Sequence, residues 1–151
     1  MVNKPKAIGT SAETAVVRAL RTLGFPHAER RALAGIHDLG DITGTPGICW
    51  EVKGGEAAKT ASDQQIAAWL DETEQERINA RADIGILVIQ RRGIGPSNAH
   101  RWWAILRANA WILGATRFDF PTRMLLADAC QLLRWAGYGQ PLPEPTEAAT
   151  A

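Results

Sequence analysis

The sequence predicts an α/β fold, a mixed central β-sheet flanked by helices, on three observations. Apolar residues recur at helical spacing near both ends, at Val16, Val17, Leu20 and Leu23 and again at Leu125, Ala129, Leu132, Leu133 and Ala136. Between them "DIGILVIQRR", residues 83–92, is an apolar, β-branched run bounded by polar residues, as a central strand would be. The order helix, strands, helix, strand, strand, helix then stacks in layers around one core.

Each element follows from local chemistry. After a short basic arm, "TSAETAVVRALRTLGF" predicts a helix with Thr10 or Ser11 as N-cap and Gly24 as its stop. "PHAERRAL" predicts a strand beginning after Pro26, and "AGIHDLG" a loop. "DITG" and "ICWEVKG" read as two strands, and the turn signal "TPG" between them makes the pair a hairpin. Residues 62–79 predict a helix capped by Ser62 or Asp63, with a narrow buried stripe at Ile66, Trp69, Leu70 and Ile78. "RGIGPSNAH" ends the central strand and "RWWAILR" supplies another, while "ANAWILG" fits a strand extension or a single helical turn. Residues 122–139 predict the last helix, stopped by Gly137. From Gln140 onward there are three prolines and no apolar pattern. One domain over residues 1–138 and a disordered tail over 139–151 are therefore expected.

A chain of 151 residues can bury roughly 70% of its unfolded surface, and 46% hydrophobic with 22% charged residues is ordinary globular composition. No apolar run reaches the roughly 20 residues of a membrane span, and "MVNKPKAIGT" lacks the apolar stretch of a secretory signal, so a cytoplasmic protein with no membrane partner is expected. Cys49 and Cys130 sit among apolar residues and His27, His37 and His100 are scattered, which argues against zinc and for buried free thiols. Net charge is only +1, but it is unevenly spread. Acids dominate residues 56–83, whereas residues 84–123 carry Arg91, Arg92, Arg101, Arg107, Arg117 and Arg123 against Asp119 alone. Such a basic stretch can form a phosphate-binding surface on a near-neutral protein.

The informative charges lie in "GDITGTPGICWEVKGG", residues 40–55. Strand alternation sends Ile48, Trp50 and Val52 to one face and Cys49, Glu51 and Lys53 to the other. A hairpin would bring Asp41 alongside, so that Asp41, Glu51 and Lys53 converge opposite the core. Two carboxylates with a backbone carbonyl and waters suit a hard divalent cation such as Mg²⁺. A neighbouring lysine would orient or deprotonate a bound water, the equipment of metal-assisted phosphodiester hydrolysis. An acid-x-Lys triplet arises by chance about once in 150 residues, so it gains weight only from context. Glu13 supplies that context, because it lies on the apolar stripe of the first helix and would face the sheet, either as a third acid or as a first-turn residue capping the helix.

Glu13, Asp41 and "EVK" at 51–53 on a helix-strand-strand frame resemble the PD-(D/E)xK nuclease superfamily, and more narrowly the archaeal and phage-type Holliday junction resolvases. The resemblance spans about residues 6–107 and includes "GTSAETAVVRALRTLGF" and the basic "ERR" after it. It implies a restriction-endonuclease-like core in which Glu13, Asp41, Glu51 and the main-chain carbonyl of Val52 hold Mg²⁺ or Mn²⁺ and Lys53 serves the attacking water. A supporting glutamine on the next helix would be Gln65, or else Gln64. One departure is Gly40, which stands where the superfamily's name has proline. The resemblance further implies DNA contacts from Arg30 and Arg31, from Arg91 and Arg92, from Ser11, and from Lys4 and Lys6 in a mobile N-terminal arm, all neutralising phosphate without reading sequence.

Of six tryptophans, Trp50, Trp69 and Trp103 are expected in the core, with Trp102, Trp111 or Trp135 less buried and available to interfaces. The expected function is a Mg²⁺-dependent endonuclease of four-way DNA junctions, leaving 5′-phosphate and 3′-hydroxyl ends. It would act as a homodimer, because symmetric cutting of two strands needs two sites, in a cell that could be a phage-infected host. The competing expectations are another nuclease of the superfamily, acting on flaps, ends or a duplex sequence, and a non-catalytic DNA-binding module.

Overall fold

The computed structural model describes residues 4–32, 38–110 and 119–144. Helix α1 (Lys4–Thr22) is followed by two short strands, β1 (Glu29–Arg30) and β2 (Ile42–Thr43), and by β3 (Ile48–Lys53). A single-turn helix α2 (Gly55–Lys59) and the long α3 (Asp63–Ala80) lead into β4 (Ile84–Ile89). A 3-10 segment (Pro96–Arg101), β5 (Trp103–Arg107), a second 3-10 turn (Ala108–Ala110), β6 (Pro121–Leu125) and α4 (Leu126–Trp135) complete the order of the described elements.

The main sheet runs β3-β4-β5-β6, with β3 and β4 parallel and the other pairs antiparallel. This is the mixed, helix-flanked sheet that the sequence predicts. A parallel pair needs a crossover of a dozen or more residues, and α3 provides it. Alternation along the strands divides the apolar residues between two layers. Val16 and Leu20 of α1 and Leu126 and Leu133 of α4 pack with Trp50, Ile86, Val88 and Ala104 on one face. Ile66 and Leu70 of α3 cover Leu87, Ile89 and Ile105 on the other. Gly85 lets α3 approach β4, because a Cβ there would come within 3.3 Å of Thr73 Cγ2.

The hairpin expected at residues 41–54 is not a regular ladder. β2 pairs instead with β1, with Glu29 opposite Thr43 and Arg30 opposite Ile42. The turn is nonetheless formed, since the Ile48 N–H donates to Thr45 O at 3.1 Å, and Gly44 and Gly47 bend the chain at φ +82° and +86°. α1 begins by Lys4, so Thr10 and Ser11 lie within the helix and Lys4 and Lys6 occupy its first turns rather than a mobile arm. Pro5 is compatible with that start, because the first-turn N–H groups have no intrahelical partner.

Three further expectations are corrected. Residues 121–125 are strand β6, and the last helix starts only at Leu126. Trp102 is fully buried, with its indole N–H on Ile94 O at 2.9 Å, while Trp103 packs against the core only half-buried; Trp135, 78% exposed, is among the less buried tryptophans as expected. Ile78 is 53% exposed and Glu76 takes its place inside. Beyond residue 138 the Gln140 N–H donates to Gly24 O at 2.7 Å. Trp111, most of "AGIHDLG", the end of "ANAWILG" and residues 145–151 lie outside the described residues.

Candidate active site

β3 is the edge of the main sheet, and its free side faces the segment before β2. The Asp41 N–H donates to Trp50 O at 2.8 Å, and Asp41 Oδ2 accepts the Val52 N–H at 2.7 Å. The carboxyl thus takes the place of a strand partner for Val52. In a strand, N–H and C=O of one residue point the same way, so the Val52 carbonyl also faces away from β4, on the side of Asp41. Glycine is required at position 40 by the backbone. Its φ is +91°, and a Cβ there would come within 2.8 Å of Cys49 Sγ and 2.9 Å of Trp50 O. Only glycine lets the chain drop onto β3 at this point.

Glu51 and Lys53 share the opposite side of β3 from Trp50, as alternation requires. Glu51 is buried, and Lys53 Nζ lies 2.7 Å from its Oε1 and 3.5 Å from Glu72 Oε2. The ammonium also lies 5.7 Å from the centre of the Trp69 ring. Burial works against the charge on Lys53, but the hydrogen bond and charge of Glu51, with Glu72 and Asp41 behind it, outweigh burial and raise its pKa above the usual lysine value. Lys53 is therefore an ammonium donor in this arrangement, and not a free base.

Asp41 sits in a buried, acidic setting. Burial and the Glu51 charge lift its pKa to about 8, against the Val52 N–H that lowers it, with smaller upward contributions from the charge of Glu13 and a hydrogen bond with Glu51. A further acid, absent from the sequence-based set, stands behind Glu51. Glu76 of α3 is 6% exposed and within hydrogen-bonding reach of Glu51, and burial together with Glu51 lifts its pKa to about 10. Its Oε2 is buried without a hydrogen-bond partner. Cys49, between these acids on the same strand face, is pushed up to about 12 by burial and by the charges of Glu76 and Glu51, so it stays a thiol.

Glu13 reaches the edge of the cluster but is held elsewhere. Its Oε2 accepts from Arg30 Nε at 2.9 Å, and Arg30 also reaches Thr10 Oγ1 at 3.4 Å. Among the described residues no three His, Cys, Asp or Glu side chains are grouped so as to hold a metal ion. What remains is Asp41, Glu51 and the Val52 carbonyl. That all-oxygen donor set fits Mg²⁺ or Mn²⁺, since such ions are commonly held by one or two carboxylates and keep several waters.

The other expected residues are spread around this cluster. Gln65 is exposed in the first turn of α3, one turn before Trp69, and Gln64 is exposed beside it. The Arg31 N–H donates to Asp41 O at 2.8 Å, while its Nε is buried without a partner. Arg92 pairs with Glu56 at 2.7 Å, and Arg91 lies over the Trp103 ring at 4.2 Å. Lys4 and Ser11 line a groove between α1 and α2 together with Lys59 and Gln90, and Lys6 is exposed nearby. Comparison with family models, with curated proteins and with solved structures gives no match for this chain.

Proposed function

We propose that this chain is a divalent-cation-dependent endodeoxyribonuclease that hydrolyses phosphodiester bonds at four-way DNA junctions. The observation that carries the reading is the convergence of Asp41 and Glu51 at the free edge of β3, with the Lys53 ammonium 2.7 Å from Glu51. Crowded carboxylates of this kind repel one another and destabilise the fold, a cost that an interaction with a cation would offset. Asp41, Glu51 and the Val52 carbonyl would hold the ion, which when bound supplies Lewis-acid polarisation of the phosphate and a water of lowered pKa.

The protein's own groups do the rest. Asp41 is locked by its bond to the Val52 N–H, so its orientation does not depend on the ion. Lys53, kept protonated by its carboxylate neighbours, is placed to donate to a phosphate oxygen or to orient the attacking water. Arg31 on one side and Arg91 on the other would provide positive charge for the backbone of the substrate, with Arg30 and Arg92 contributing only on exchanging Glu13 and Glu56 for phosphate. Symmetric cutting of a junction implies two copies of the chain acting together.

The test is cleavage of a labelled synthetic four-way junction in Mg²⁺ beside a linear duplex of matched sequence. Preferential, paired cutting of the junction supports the reading. Equal cutting of both substrates assigns a different nuclease specificity, and binding without cutting in Mg²⁺ or Mn²⁺ leaves only a DNA-binding module.

A further inference from the structure

A second charged feature lies on the α3 face of the sheet, away from the acidic cluster. A cleft of about 240 Å³ is lined by Lys59, Arg91, Arg92 and Arg123, with Trp103 among them and no carboxylate among the described residues of its wall, although Glu56 pairs with Arg92 beside it. Its floor is apolar, formed in part by Ile66 and Ile89. The chain as a whole carries a net charge of only +1, so this concentration of cations is local.

Two arginines of the cleft differ from the others described in sharing one aromatic ring, whereas Arg21 and Arg134, for example, bond backbone carbonyls. Arg30, Arg77 and Arg107 are each paired with an acid. Arg91, Arg123 and Lys59 have no ion pair among the described residues, and Arg92 meets only the exposed Glu56. Arg91 and Arg123 instead gather over one indole, with guanidinium carbons 4.2 Å and 5.5 Å from the Trp103 ring centre. A ring face attracts each cation. It does not relieve the repulsion between two of them, which an anion in the cleft would remove. The sheet register fixes the arrangement. Arg123 pairs with Ile105 and Trp103 with Ile89, so these side chains share one face, and Arg91 follows β4 by two residues.

We propose that this cleft binds the phosphate backbone of a DNA strand, with Arg91 and Arg123 as the principal phosphate contacts and Trp103 as the plate that holds them. The inference rests on the nuclease reading for the identity of the polyanion and deepens it by naming where the substrate strand leaves the acidic site. Lys53 on β3 pairs in register with Ile89 on β4, and Ile89 pairs with Trp103 on β5. Two strand spacings, about 10 Å, separate Lys53 from Trp103, and the floor of the cleft at Ile89 lies between them. The volume lies below the roughly 300–1,000 Å³ of sites for drug-sized ligands, and matches a phosphate with its sugar better than a large cofactor.

The experiment uses the full chain in excess EDTA, so that binding is read without cleavage. Fluorescence anisotropy of a labelled 15-nucleotide DNA strand is measured across a salt series for wild type, Arg91→Ala/Arg123→Ala and Arg18→Ala, an exposed control on α1. The double variant is expected to bind at least tenfold more weakly, with the salt slope reduced by about 1.4, two contacts at about 0.7 each for single-stranded DNA. Arg123→Glu, a change at an exposed side chain, gives the same loss if the double variant does not fold. A parallel arm competes the strand with inorganic phosphate and with deoxyadenosine monophosphate; displacement by either at micromolar concentration would overturn the strand proposal in favour of a small-phosphate site. Unchanged strand affinity in folded variants overturns it too. If wild type cuts DNA while these variants bind normally, the nuclease reading stands and the cleft proposal fails. If wild type cuts nothing but the variants lose binding, the reverse holds.

Discussion

Replacing Asp41 by asparagine should stabilise the metal-free protein while abolishing cleavage. Asparagine keeps an oxygen for the Val52 N–H, bonded at 2.7 Å in the wild type, and its amide can donate to Glu51. The native carboxyl titrates at about 8 and the unfolded one near 3.8. Between those values the native state holds a proton that the unfolded state has lost, so stability is full below the lower value and declines as pH rises toward 8. At pH 7 the difference is about three pH units, an upper bound of about 4 kcal/mol at about 1.4 kcal/mol per unit. Sharing of that proton with Glu51 reduces the figure to about 2 kcal/mol at the lower end. For a domain of this size 1 kcal/mol corresponds to about 2–4 °C, so the variant should melt roughly 4–16 °C higher at pH 7–8. The advantage should shrink toward zero near pH 4. Thermal melting by circular dichroism in EDTA across this pH range measures it. A variant no more stable than wild type at pH 8, or a gap that does not grow with pH, would show that Asp41 is not held in a crowded acidic site.

Glu76→Gln should behave in the same direction, with a gain of about 1–3 kcal/mol at pH 8 in EDTA, because its carboxyl titrates near 10 when folded against 4.5 ordinarily; melting curves against pH check it. Lys53→Met should lower stability by about 2 kcal/mol, a value discounted for the 27% exposure of the lysine side chain, and reduce cleavage at least a hundredfold, since buried Glu51 loses its cation; urea unfolding and single-turnover cleavage read the two effects. Trp102→Ala should cost about 3–5 kcal/mol in urea unfolding, whereas Trp135→Ala should stay within about 0.5 kcal/mol.

That last contrast marks where sequence patterns stop being sufficient. Alternation along β3 was legible because Ile48, Trp50 and Val52 fill one face and the charges fall on the other, so Trp50 and Glu51 lie where period two puts them. The α3 cap was legible because it is local, with Ser62 Oγ accepting the Gln65 N–H at 3.1 Å. Trp102 and Trp103 could not be sorted by the same rule, since both faces of the sheet are covered by helices. Residues 121–125 fit a helical stripe, and only pairing with β5, Trp103 opposite Leu125 through Arg107 opposite Pro121, makes them a strand. That pairing lies beyond the local spacing that a helical stripe tests.

The acids divide in the same way. Asp41, Glu51 and Lys53 were visible because two short segments carry all three. Glu76 was hidden by Ile78, yet its position held the signal. It follows Trp69 by seven residues, two turns along one helix face, while Ile78 falls about 140° around the helix from Thr73. Glu13 was visible as a misplaced charge, but its partner was not. The 2.9 Å bond to Arg30 depends on β1 lying beside α1, which a two-residue strand does not announce.

The most direct measurement is the Mg²⁺ dependence of cleavage of a labelled four-way junction by wild type and Asp41→Asn side by side, with Ca²⁺ as a binding-only control. Wild type should cut only above a threshold of Mg²⁺ and bind without cutting in Ca²⁺, and Asp41→Asn should bind the junction at least as tightly and leave it intact. Cleavage by wild type in EDTA, or undiminished cleavage by Asp41→Asn, would contradict a metal-dependent site built on Asp41, Glu51 and Lys53.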